Sequence, residues 1–334
     1  MPTPSAGAPA KPPELPLALS TSAAWRSAYP FASHWLRTPE GVLHYVDHGP
    51  ASCGDREALA IAAEPASSDV RTLLFVHGNP TWSFHWRHLI AALGSRYRCV
   101  AIDHLGCGLS GAASRPLALA DRVEHLVQLL GALDLRQTAL VAQDWGGAIG
   151  LGALLRAPER FVRMALFNTG AFPPWYIPLR IRACRWPVAG RLAIQGGNLF
   201  SRAALRMTLA RRRRLDPAVA AAYLAPYGSW GRRAAVYQFV RDIPASPRHP
   251  TWSTLETLEQ GLQRMAPLPT RLIWGARDWC FTTGCRDRFA AIWPHAEIRT
   301  LADVGHWVVE DAPAEALEEL AEFVAAPGGT GVPR

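Results

Sequence analysis

The chain has 334 residues, 49% of them apolar, and a formal net charge of +8. That length suits one large α/β domain with an insertion, and the apolar share is enough for a sizeable core. Lys11 is the only lysine, so the charge is carried by arginine. With the abundant Ala and Pro it reads as a compositional bias, not a nucleic-acid footprint, and no nucleic-acid-binding motif is present.

No apolar run reaches the roughly 18 residues of a membrane span. The six cysteines are scattered without a C-x-x-C pair, which points to a reduced, cytoplasmic protein. Cys280 and Cys285 with His295 and His306 fit no common zinc spacing, so neither metal nor cofactor is expected. Residues 1–30 form a Pro/Ala-rich stretch expected to be a disordered tail. They lack the basic start and long apolar centre of a signal peptide.

In chain order, Trp35 to Arg37 and Val42 to Asp47 flank Glu40-Gly41, a hairpin signal. A polar insertion from Gly49 to Asp69 is expected to be a surface loop. Thr72 to Val76 reads as a buried strand, followed by the turn His77-Gly78-Asn79-Pro80 and a helix from Phe84 to Leu93. Cys99 to Ile102 is the next strand, and it leads into Asp103-His104-Leu105-Gly106-Cys107-Gly108-Leu109-Ser110. Leu119 to Leu133 carries the apolar spacing of an amphipathic helix. Thr138 to Ala142 is a buried strand, Ala148 to Ala157 a helix stopped by Pro158, and Val162 to Phe167 another strand.

From Gly170 to about Arg264 strands disappear, and Arg, Pro, Trp and Ala dominate helical pieces broken by prolines. Strands return at Thr270 to Trp274 and Ala296 to Leu301, and a last helix spans Ala314 to Val324. The expected organisation is therefore a core of 31–169 and 265–326, a helical cap at 170–264 and a flexible C-terminus at 327–334. Alternating strands and helices predict a mostly parallel sheet covered on both faces.

Between the strand at Thr138 and the helix at Ala148 stands Gln143-Asp144-Trp145-Gly146-Gly147. Strand, sharp turn and helix form the context of a nucleophile elbow, with Asp144 where a serine is usual. A carboxylate there can attack carbon and form an enzyme ester. The bland alternative is an Asp capping an ordinary helix.

Asp278 and His306 follow two later strands, at the sheet edge where open α/β sheets place ligands. The order nucleophile, acid, histidine is that of α/β hydrolases. Alone, Asp278 reads as a helix cap and His306 as a loop histidine; together with Asp144 they read as a triad. The Asn79 amide and the Trp145 indole are donors suited to a departing anion, against the plainer roles of a turn-stabilising Asn and a core Trp.

The segments His77 to Ser83, Asp103 to Ser110, Gln143 to Gly147 and Gly305-His306 resemble the haloalkane dehalogenase family of the α/β-hydrolase fold, over residues 34–325. The resemblance implies a mostly parallel sheet flanked by helices with an inserted helical cap. It implies Asp144 as nucleophile, His306 as base, and Asn79 with Trp145 as leaving-group donors. Some family members carry the acid as a Glu after the preceding strand. Phe167-Asn168-Thr169 offers no carboxylate there, which leaves Asp278 in that role.

In the cap, Asn168 to Pro173, Gly197 to Phe200, Ala222 to Tyr227 and Phe239 to Pro244 are similar to the β-lactone decarboxylases of long-chain olefin biosynthesis. The implied reaction turns a cis-3,4-dialkyl-oxetan-2-one into a cis-alkene and CO2. Haloalkane dehalogenation is the alternative, and epoxide hydrolysis through lid tyrosines Tyr223, Tyr227 or Tyr237 is a weaker one. A non-catalytic binding protein is the reading from a different class. Trp279 to Thr283 departs from the Phe and second acidic residue expected after the acid.

Phe172, Trp175, Leu199 and Phe200 are candidate walls of an apolar pocket. The substrate would be a hydrophobic small molecule, with other enzymes of the same lipid pathway as partners. Arg211 to Arg214 reads as a solvated helix face. The sharper alternative is peripheral docking to an anionic membrane or an acidic partner.

Overall fold

A computed structural model describes residues 10–13, 23–50, 70–212 and 214–327. Eight strands form one sheet: β1 (Ser33–Thr38), β2 (Gly41–His48), β3 (Thr72–Val76), β4 (Arg98–Asp103), β5 (Thr138–Asp144), β6 (Phe161–Thr169), β7 (Thr270–Gly275) and β8 (Glu297–Leu301). Their order is β1-β2-β4-β3-β5-β6-β7-β8. β1, β2 and β4 pair antiparallel, and every pairing from β4 to β8 is parallel.

The central strands β3 and β5 carry the apolar runs Leu73 to Val76 and Ala139 to Ala142 because helices cover both faces of the sheet. One face packs Leu74, Val76 and Leu140 against the helices Leu119–Ala132 and Trp145–Arg156. The other packs Leu73, Phe75 and Val141 against Arg87–Leu93 and Pro313–Ala325. Strand order reverses at β3, with β4 on one side and β5 on the other. That reversal opens the crevice in which such sheets bind ligands. Val76 pairs with Ala142, so the chain leaving β3 at His77 to Asn79 lies beside the elbow that follows β5.

Between Thr169 and Thr270 the described residues hold helices and no strand. The helix Pro250–Leu262, expected within the cap, packs on the core instead. Its Leu255, Leu258 and Leu262 join the cluster of Leu151 and Leu154, because the helix carries an apolar stripe toward Trp145–Arg156.

Four expectations need correction or lie out of view. Residues 23–30 are not a loose tail: the helix Ala23–Ser27 buries Trp25, whose ring meets Trp82 edge-on at 5.6 Å, and Tyr29 is buried beside Ser83. Large aromatic side chains gain too much from burial to stay in water, even in a Pro/Ala-rich context. Arg211, Arg212 and Arg214 lie on no helix. The N–H groups of Ala210, Arg211 and Arg212 donate to Asp311, and the Arg211 guanidinium pairs with Asp303 and Glu315; Arg213 lies outside the described residues. The 51–69 part of the insertion and residues 328–334 also lie outside them.

No helix among the described residues is long and apolar enough to cross a membrane.

Candidate active site

The elbow is built by what its neighbours cannot carry. Asp144 has φ +54° and ψ −132°, which turns its carboxylate away from the sheet. A non-glycine residue held there signals a constrained site. The turn closes only because a Cβ is missing on either side of it: one on Gly146 would stand 2.0 Å from the Val76 carbonyl oxygen, and one on Gly78 2.1 Å from Asp144 Oδ1. Asp144 does not cap the helix that follows. Its Oδ1 accepts from the Asn79 N–H at 2.7 Å, and Oδ2 lies 3.5 Å from His306 Nε2.

On its far side the imidazole reaches the acid, with His306 Nδ1 2.7 Å from Asp278 Oδ2. Asp278 likewise caps no helix; its Oδ1 accepts from the Cys280 N–H at 2.7 Å. Asn168 completes the acid's seat by donating from Nδ2 to Asp278 Oδ2 at 2.9 Å. Burial alone would lower the His306 pKa, but the Asp278 and Asp144 carboxylates outweigh it and hold the value up at about 10. Both carboxylates thus favour the protonated imidazole, which must release that proton before it can act as a base.

Asn79 donates from Nδ2 to the Val236 carbonyl of the cap at 3.2 Å. An amide nitrogen carries two hydrogens, so one stays available to the crevice. Asn79 and Trp145 both line a cavity of about 620 Å³ that also takes in Asp144 and His306. Phe172, Trp175, Leu199 and Phe200 line it too, as do Trp279, Cys280, Phe281 and Thr282. Phe281 stacks on the His306 ring with centroids 5.7 Å apart. The pattern departure at 279–282 thus falls on the cavity wall.

Tyr223, Tyr227 and Tyr237 are not among the lining residues. Tyr223 is buried against His85 and Glu310, Tyr227 donates to the Thr81 carbonyl, and Tyr237 donates to the Pro187 carbonyl. The tyrosine pair that epoxide opening requires is therefore not presented to Asp144.

Several supporting residues were not foreseen. Gln143 donates from Nε2 to the backbone carbonyl of His306 and accepts on Oε1 from His85 Nε2 at 2.5 Å. His85 Nδ1 lies 2.8 Å from the Tyr223 hydroxyl, and burial pushes the His85 pKa down to about 4. The Tyr223 hydroxyl donates to Glu310 Oε1 at 2.6 Å, and Glu310 also pairs with Arg87. Asp311 holds the His306 loop through the Gly305 N–H at 2.7 Å. Single polar residues in apolar stretches carry no periodic signal, so nothing in the sequence marked these supporting roles. Asp103, from a motif of the resemblance, is spent on structure: it accepts from the N–H groups of Ser83 and Leu109 and faces His44.

Strand ends, elbow and imidazole define an α/β-hydrolase-fold enzyme with aspartate at the nucleophile position. Residues 71–313 match the alpha/beta hydrolase fold family. The chain is 33% identical to the cis-3-alkyl-4-alkyloxetan-2-one decarboxylase of Shewanella oneidensis, over 88% of this chain and 89% of that one. It is 34% identical to the decarboxylase of that name from Xanthomonas campestris pv. campestris, over 85% of this chain and 92% of that one. The chain therefore belongs to the alpha/beta hydrolase fold family, among relatives of these decarboxylases. The fold is also that of the haloalkane dehalogenase DbeA from Bradyrhizobium elkani USDA94, with a TM-score of 0.76 and 24% identity over 88% of this chain and 98% of that one.

Proposed function

We propose that the chain converts a long-chain cis-3,4-dialkyl-oxetan-2-one into a cis-alkene and CO2, with Asp144 as nucleophile. One observation carries this reading: the identity to the two decarboxylases spans nearly the whole chain, cap included, and the cap supplies much of the cavity wall. A cavity of about 620 Å³ walled by Phe172, Ile181, Ile194, Phe200 and Leu255 suits a substrate with two alkyl arms.

The chemistry follows from the charges. Asp144 attacks the ring carbon bearing oxygen, with inversion. The ring C–O bond breaks, its electron pair stays on oxygen, and the substrate becomes a carboxylate bound as an aspartyl ester. The cationic His306 and the Asn79 and Trp145 donors stabilise that carboxylate as it departs. The bond to the carboxylate carbon then breaks, its pair forms the alkene, and the ester bond to Asp144 breaks anti to it. Inversion followed by anti expulsion gives net syn loss of CO2, so a cis lactone gives a cis alkene. No water is consumed and the carboxylate is restored. Attack at the lactone carbonyl, giving a mixed anhydride, is the competing route.

Haloalkane dehalogenation uses the same residues, with His306 activating a water to cleave the ester. Incubation of the purified protein with a long-chain cis-β-lactone and with bromoalkanes separates the two. The expected result is alkene by gas chromatography and little bromide, and bromide without alkene overturns the proposal. Asp144→Ala is expected to retain less than about a thousandth of the wild-type rate. With His306→Ala, dehalogenation accumulates an alkyl adduct visible by intact mass, whereas decarboxylation through the alkyl ester does not.

A further inference from the structure

Residues 170–215 contain ten arginines and no Asp or Glu. The same stretch holds seven of the nine most exposed large apolar side chains among the described residues. Such residues are ordinarily scattered singly over a surface, so their concentration in one charged segment calls for an explanation.

Leu179, Trp186, Val188 and Leu192 are 57–73% exposed. They alternate with Arg180, Arg182 and Arg191 along the short helices Leu179–Cys184 and Ala189–Arg191 and the turn that follows. Among the described residues, none of these three arginines has a carboxylate partner. Arg211, which does, is tied to the core through Asp303 and Glu315. The surface is continuous with the active-site cavity, because Trp175, Tyr176 and Leu199 are exposed and also line it.

We propose that this face of the cap docks onto the surface of an anionic phospholipid bilayer and opens the cavity mouth toward the acyl layer. Exposed Trp and Leu would enter the interface while arginines bury their stems and keep their charge at the headgroups. The absence of any acidic side chain across 170–215 removes the repulsion an anionic surface would otherwise meet. A substrate carrying long alkyl arms then reaches Asp144 without crossing water. Docking itself rests on the cap surface alone and stands whichever apolar substrate the site takes.

The test is flotation of the purified full chain with vesicles of phosphatidylethanolamine and phosphatidylglycerol, against vesicles of phosphatidylcholine. Binding to the first and not the second is expected, with release at about 1 M salt, where screening acts within about 3 Å. Trp186→Ser with Leu192→Ser should weaken partition at least about tenfold, and Arg182→Gln roughly fivefold. None of these residues lines the cavity, so turnover of a short-chain soluble substrate should match wild type. Equal binding to both vesicle types, or variants that float as wild type does, overturns the proposal. So does failure to float on any vesicle, including the case where an acidic protein competes for the same arginines.

Discussion

Asn168 donates from Nδ2 to Asp278 at 2.9 Å, on the oxygen that also faces His306 Nδ1 at 2.7 Å. The same amide bridges β6 to β7, since its Oδ1 accepts from the Gly275 N–H at 2.8 Å. The end of β6, which offers no carboxylate, offers instead the group that seats the acid. Asn168→Ala leaves a buried N–H and a carboxylate oxygen short of partners, at a cost of about 1–3 kcal/mol, and should lower turnover about tenfold. Asn168→Asp sets a second carboxylate against Asp278, and like charges at that distance cannot both ionise freely. Its rate should fall further at neutral pH; full activity there would mean that Asp278 is not the charged partner of His306.

Asn79→Ala and Trp145→Phe should each slow the chemical step by roughly 10²–10³-fold, the usual loss for a donor aimed at developing charge. Single-turnover kinetics with saturating substrate isolates that step. If both variants keep wild-type rates, the two side chains serve packing alone.

Stability should fall on both sides of about pH 6.5. Two carboxylates overcome burial and raise the folded His306 to about 10 from an ordinary 6.5. Its contribution is complete below pH 6.5 and is lost as pH rises through 10. His85 is the opposite case, lowered by burial to about 4. Its contribution is present above pH 6.5 and is lost as pH falls through 4, and His77 and His104, also lowered by burial, act in the same direction. Thermal unfolding across pH for wild type, His306→Gln and His85→Gln checks this. His306→Gln should flatten the alkaline limb; an unchanged limb would show that the imidazole is not held charged.

Gly78→Ala tests the space around the nucleophile. The new Cβ would stand 2.1 Å from Asp144 Oδ1 and 2.4 Å from its Cβ, so the carboxylate must leave its position on the Asn79 N–H. A displacement of that kind costs about 10²-fold in rate. The fold should survive, because the clash is with one side chain and not with backbone. A variant with wild-type kcat and a normal melting temperature would show that the elbow has room to spare.

The sequence determined the order of the elements, the elbow and the candidate triad, because each leaves a local mark. Buried strands read as apolar runs in Thr72 to Val76 and Thr138 to Ala142. The elbow reads as an aspartate followed by Gly146-Gly147, and strand ends locate Asp278 and His306. What the tertiary structure decided is everything set by approach across the chain. Asn168 and Asp278 meet across 110 positions, and Gln143 reaches the His306 carbonyl across 163. Asp311 captures the arginine loop that looked like a helix face, and Trp25 finds Trp82 from a stretch that looked like loose tail. Tyr223, Tyr227 and Tyr237 turn away from the cavity for the same reason. Hydrogen-bond partners and burial are properties of neighbours in space, and a single polar or aromatic residue does not carry the address of its partner.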